Sequence, residues 1–431
     1  MGDRSHFERP RWRWALLGCA IALAGCASAP PSELKTALDA GDVSEALRVH
    51  EADPSARGLR SIAEVVLERE ARGDDLASRR RTFAALRGAG TAARHVLWEL
   101  SQKPGEPAVI AQALRARVQL GDDRAREWLA AMADSDETAV RAAAMAALDP
   151  ERDAARLGAA LAAGFAPVRE AALRRLKGSV PDAELRRTVA AVAAADPDAT
   201  VRATALRVLA SDGQAFDLIE RRLDDPALPV RLAAVRALIA TDHQRALSRL
   251  QPLLHGDLSP EGIELARALL SSVGDPPPRA AVELLQRAIA SDEQALRLRA
   301  TTAVSSLPAL PAELAASVRT RLGDETLHEA RLLLALALPP ATPAATRALR
   351  ALAERDDQVG AQALAELARR GDGQAAGKLT SLLDHEQAAV RALAATVLAR
   401  DLGRPHEARR ALIDPEAVVR IRAAAAILAA G

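Results

Sequence analysis

One phrase, complete at Asp196-Pro-Asp-Ala-Thr-Val-Arg-Ala-Thr-Ala-Leu-Arg-Val-Leu209, recurs along most of the chain and limits what it can fold into. A turn of Asp and Pro opens it and an amphipathic helix follows. Val201, Ala205, Val208 and Leu209 stand at i, i+4, i+7 and i+8, on one stripe of that helix. The Val-Arg step reappears at Val140-Arg141, Val168-Arg169, Val230-Arg231, Val390-Arg391 and Val419-Arg420. Weaker copies stand at Val109-Ile110, Ile263-Glu264, Leu296-Arg297, Ala330-Arg331 and Val359-Gly360, and successive copies lie 28 to 34 residues apart. A near-constant period of that length predicts an all-α chain, a right-handed α-solenoid (superhelix) of stacked antiparallel helix pairs. In such a stack each unit touches only its neighbours, so an elongated body is expected. Eleven copies at helix-packing distances of about 10 Å make it on the order of 100 Å long.

Residues 1–25 read as a targeting segment. Arg4, Arg9, Arg11 and Arg13 are followed by an apolar run from Trp14 to Gly25, too short to span a bilayer. The run ends in Leu23-Ala24-Gly25-Cys26, which resembles the bacterial lipoprotein cleavage motif. By that resemblance Cys26 is the lipidation site and the mature N-terminus, and 26–32 are the lipidated Cys with a short tether. Cys19 would leave with the signal, so no thiol would remain for a disulfide, a metal or a nucleophile. Ala27 after the lipidated position resembles the outer-membrane sorting class. The expected location is a membrane-anchored lipoprotein, at the outer membrane and facing the periplasm.

Residues 33–101 predict helices near 33–40, 43–51, 56–72, 76–87 and 91–101 without the Val-Arg phrase, either a divergent N-terminal cap or degenerate repeats. Residues 102–431 are the regular array. Its units resemble HEAT-type repeats of the short bacterial kind related to bilin-lyase repeats. The resemblance implies that the second helix of each unit lines a concave face, and that the Arg after Val bonds turn acids of neighbouring units. Arg141, Arg169, Arg202, Arg231, Arg297, Arg391 and Arg420 are therefore expected to form a structural ladder. Asp136, Asp198, Asp225 and Asp414, in the turns just before these helices, are the nearest acids in sequence. Glu264 and Gly360 stand where two units lack the Arg. Gly360 marks either a flexible point or a helix that begins one residue later.

The chemistry is sparse. His-Glu occurs at His50-Glu51, His328-Glu329, His385-Glu386 and His406-Glu407. These resemble the iron-binding pairs of deoxyhypusine hydroxylase, a HEAT-type enzyme. There the pairs lie two and three residues after the Val, where this chain has Ala142-Ala143, Glu170-Ala171, Ala203-Thr204 and Leu232-Ala233. Their mutually inconsistent phases predict scattered imidazoles, and no metal site is expected. Trp98 and Trp128 are expected in core packing. Arg-Gly-Asp at 72–74 and 370–372 reads as a helix-ending Gly with a capping Asp. The 58 Lys and Arg nearly balance the 57 Asp and Glu, and aromatic residues make up 2%. That charge balance and the missing stacking platforms argue against nucleic acid.

No catalytic constellation emerges. The expected function is a membrane-anchored, non-catalytic scaffold or adaptor without cofactors, binding cell-envelope proteins through the solenoid and the membrane through Cys26. The alternative is a repeat-based enzyme or cofactor-handling protein of lyase or hydroxylase type. The last helix, ending in an Ala-rich run, is expected to present an open apolar edge that docks a partner or a second copy through the C-terminal repeat.

Overall fold

A computed structural model describes residues 32–210, 215–256, 258–272 and 276–430. The signal segment, the lipidation site at Cys26 and nearly all of the tether lie outside the described residues. Among these the regular elements are helical throughout, and the chain is an all-α solenoid.

Each recurrence of the phrase is a second helix. These run Pro107–Gln119, Thr138–Ala144, Ala166–Leu176, Ala199–Leu209, Leu228–Thr241, Pro260–Ser272, Gln294–Ser305, His328–Ala337, Gln358–Arg369, Ala388–Thr396 and Ala417–Ala429. Each is preceded by a shorter or more exposed first helix, from Arg94–Gln102 to the 3-10 turn Glu407–Ile413. The regular pairing thus reaches back to Arg94, before the boundary at 102.

Caps set the helix starts. The Asp198 carboxylate accepts the N–H groups of Thr200 and Val201, and Arg202 N–H closes the first turn on the Asp198 carbonyl. The same closing bond runs from Arg141, Arg169, Arg231, Arg297, Arg331, Arg391 and Arg420. In the two irregular units it runs from Ile263 to Ser259 and from Ala361 to Asp357. The sequence register is therefore one residue late in the first and one residue early in the second. Gly262 and Gly360 take the Val place, and Ile263 and Ala361 take the Arg place. Gly360 is a packing requirement rather than a flexible point, since a Cβ there would lie 2.1 Å from the Arg355 carbonyl oxygen.

The second helices form the inner layer. They pack directly on one another at every step of the row, whereas successive first helices touch one another less at most steps, Arg279–Ala290 against Ala312–Asp324 being an exception. Small side chains allow that approach: Ala144, Ala172, Ala205, Ala234, Ala394 and Ala423 stand at equivalent places and are all fully buried. Close spacing inside and wide spacing outside curve the row.

The curve closes. Ala417–Ala429 packs on Ala388–Thr396 on one side and on Ala56–Arg72 and Leu76–Ala89 on the other. Leu76–Ala89 in turn packs on Pro107–Gln119, and Ala56–Arg72 on Arg94–Gln102. The N-terminal helices are thus the wedge that joins the last unit to the first. Two expectations are corrected. The body is a ring rather than an elongated stack, and the C-terminal repeat is not an open edge for self-association. Its apolar face, with Ile427 and Leu428 buried, is covered by the chain's own first helices.

Candidate partner-binding face

The seven phrase arginines share one geometry. In each, Nη1 donates to the carbonyl six residues back: Ser135, Ala163, Asp196, Asp225, Ser291, His385 and Asp414. That leaves Nε and Nη2 aimed at the next unit. Arg169 meets Asp196 at 2.7 and 2.9 Å, Arg202 meets Asp225 at 3.0 and 2.8 Å, and Arg391 meets Asp414 at 2.7 and 2.9 Å. Arg297 reaches Glu325 at 3.3 Å, and Arg231 pairs with Glu261. The carboxylate belongs to the following turn, so Asp136 and Asp198 are not the partners that adjacency suggested. Asp198 caps its own helix, and Arg141 lies over the exposed ring of Phe165.

Asp196, Asp225 and Asp414 each link two arginines, by carboxylate to the preceding one and by carbonyl to the next. Burial alone would raise the Asp225 carboxyl, but the bonds from Arg202 and the Ala227 N–H hold it below its ordinary value. Asp414 and Glu325 are held low in the same way. Arg420 crosses the seam to Glu70 on Ala56–Arg72, at 2.7 Å.

The seam also gathers two of the four His-Glu pairs. The His50 and His406 rings stack with centroids 5.4 Å apart and planes 5° from parallel, and Glu51 pairs with Arg409 at 3.2 Å. His50 is buried, and neither of its ring nitrogens has a hydrogen-bond partner. The other two histidines meet the Arg355–Asp357 turn, His328 against Arg355 and His385 against Asp356. The pairs therefore gather two by two instead of scattering. Among the described residues no group of three or more His, Cys, Asp or Glu could hold a metal ion.

Trp98 and Trp128 are corrected from core to surface, at 49% and 43% exposed. Arg117 lies over the Trp128 ring and pairs with Asp122, and a hollow of about 510 Å³ opens between Trp98 and Arg117. At Arg-Gly-Asp 370–372, Gly371 has φ 90° and Asp372 caps the next helix. At 72–74 the capping falls instead to Asp75. A groove of about 630 Å³ between Ser32–Asp39, Ala56–Arg72 and Arg94–Gln102 holds Glu64, Glu68, Glu99, His95 and Lys103. Burial raises the Glu64 carboxyl, and His95 stands 4.0 Å away. Lys103 neutralises Glu68 and Glu99 at 2.9 and 3.0 Å, which leaves this groove structural.

A second row of arginines was not read from the sequence. Five residues beyond the closing bond, at the place facing into the ring, stand Arg115, Arg174, Arg207 and Arg236, while Ala146 and Ala268 hold that place in the units of Thr138–Ala144 and Pro260–Ser272. Arg87 on Leu76–Ala89 and Arg267 on Pro260–Ser272 extend the row. Arg174 pairs with Glu170 at 2.5 Å and Arg267 with Glu264 at 2.9 Å. Among the described residues Arg87, Arg115, Arg207 and Arg236 have no ion-pair partner. Burial and then the charges of Arg87 and Arg174 pull the Arg115 guanidinium below its ordinary value. Burial with Arg267 and Arg207 does the same to Arg236. Further round the ring the same place holds Thr302, Leu336, Glu366, Thr396 and Ala425. The signal was present in sequence as a second Arg at a fixed step after the first.

No family model matches the chain, and no curated protein matches it. Among solved structures it is similar to Kap121p bound to Nup53p, at 14% identity and TM-score 0.39, over 88% of this chain and 50% of that one. Yeast importin-beta (Kap95p) is similar at 14% identity and TM-score 0.39, over 86% and 58%. The complex of CpcE and CpcF of phycocyanin lyase from Nostoc sp. PCC7120 is similar at 16% identity and TM-score 0.27, over 67% and 92%. The chain spans about half the length of Kap121p.

Proposed function

We propose that the chain is a scaffold that holds another protein of the cell envelope against the inner face of its ring, tethered to the membrane through lipid on Cys26. The observation that carries the binding part is a division of labour between two rows of arginine. The ladder row is bonded within the fold at every position, whereas most of the inner row has charge with no partner of its own. Unpaired charge on a concave wall made of rigid helices is the kind of surface a partner completes. The Arg4–Cys26 signal carries the anchoring part. An HEAT-like array gives such a wall its curvature and leaves the outer first helices free of the contact.

A photo-crosslinking residue placed at Gln112 or Thr302, both on second helices, tests this in the native envelope. The expected result is discrete protein adducts from these inner positions and none from Arg319, exposed on the first helix Ala312–Asp324. Equal labelling from Arg319 would remove the inner face as the binding surface. Cys26→Ala is expected to move the chain from the membrane fraction to the soluble one.

A further inference from the structure

The inner row also specifies the chemistry of what it would hold. Resting on the scaffold reading above, we infer that the Arg87–Arg267 row binds an extended acidic segment of the partner protein, rich in Asp and Glu.

Three observations carry this. The first is charge. Six arginines and two glutamates, Glu170 and Glu264, share this wall, so it has four positive charges in excess. The whole chain has an excess of one. The second is incomplete bonding. Among the described residues the buried Arg115 Nε has no hydrogen-bond partner, and the one side-chain hydrogen bond of Arg207 is with the Thr204 hydroxyl at 3.3 Å. A guanidinium fork left in that state is suited to a carboxylate, which accepts two parallel N–H bonds. The third is spacing. Neighbouring helices stand about 10 Å apart, and a polyproline II segment returns to the same face every three residues, an advance of about 9 Å, so every third side chain of such an extended segment meets a new helix.

A phosphate backbone fits less well. Glu170 and Glu264 stand inside the row, where they would repel a continuous line of phosphates. The row itself offers no aromatic ring for base stacking, being Arg, Ala, Thr, Leu and Glu. A polypeptide tolerates both features, because it can place an amide or a basic side chain at Glu170 and an apolar one at Leu336, which is 37% exposed.

The test uses the purified full chain in detergent, a fluorescein-labelled polyglutamate peptide of about twelve residues, and anisotropy. The variants are Arg207→Glu with Arg236→Glu, and the outer-face control Arg319→Glu, each checked by thermal unfolding for an unchanged ring. Binding that weakens with salt, falls about tenfold or more in the double variant and survives in the control is expected. No binding by the unaltered chain, or an equal loss in the control, overturns the inference. So does tighter binding of single-stranded DNA of equal charge that the double variant abolishes, which would assign the row to nucleic acid. A chain that gives inner-face crosslinks in the envelope yet ignores polyglutamate overturns this inference alone and leaves the scaffold reading standing.

Discussion

At the scale of single residues, the ladder separates two kinds of turn acid that look alike in sequence. Asp225 is 5% exposed and accepts both Arg202 nitrogens and the Ala227 N–H, so its loss leaves a guanidinium facing an emptied polar site. Breaking such a pair from one side costs about 3–5 kcal/mol when both charges are buried. Arg202 keeps some access to solvent and its carbonyl bonds, so Asp225→Ala is expected at about 2–3 kcal/mol by chemical denaturation. Asp198→Ala removes only a helix cap and is expected near 1 kcal/mol. A smaller loss for Asp225 than for Asp198 would remove the ladder as a stabilising device. The carboxyls of Asp225, Glu325 and Asp414 are lower in the fold than in the unfolded chain. Their contribution is therefore complete above about pH 4 and lost as pH falls through the lowered folded values. The turn acids were legible in sequence, but their partners were not. Adjacency pointed to the preceding turn, whereas the carbonyls of that turn already occupy Nη1 and direct the rest of the fork onward.

At the scale of helices, the seam is the least regular joint of the ring. His50 lies against His406 and Arg409, with Glu51 and Asp53 as the acids nearby. Burial, then the charges of His406 and Arg409, hold the imidazole below its ordinary value. A base whose folded value is depressed stabilises the fold above its unfolded value, near pH 6.5, and that contribution is lost as pH falls. Amide exchange in Val43–Ala52 and Ala417–Ala429 is therefore expected to quicken from pH 7.5 to pH 5.5 relative to mid-array helices. His50→Phe, which keeps the packing and removes the titration, is expected to flatten that difference. An unchanged response in this variant would place the sensitivity elsewhere. Helix positions were well marked in sequence. The spans expected near 33–40, 43–51, 56–72, 76–87 and 91–101 appear as Ser32–Asp39, Val43–Ala52, Ala56–Arg72, Leu76–Ala89 and Arg94–Gln102. The one-residue slips at Gly262 and Gly360 arose because Ile263 and Val359 are the apolar residues nearest the expected place. The capping side chains of Ser259 and Asp357 set the true register.

At the scale of the whole molecule, the repeat was legible and its closure was not. Closure is the sum of eleven small rotations between neighbours, and no local pattern records a sum. It has a direct measure. Ala56 and Ala430 line one hollow with Pro405 and Ile427. With Cys19 and Cys26 replaced, dyes at Ala56→Cys and Ala430→Cys are expected to transfer energy almost completely. In an open stack on the order of 100 Å long, transfer would be close to nil. The seam has a further consequence for inheritance. An open array can gain or lose a unit at either end without disturbing the rest. A closed one is a sentence written around a coin, where a word added anywhere must be absorbed by every letter. Duplication of one unit, the usual way such chains grow, would here force Arg420 away from Glu70 and prise the join apart.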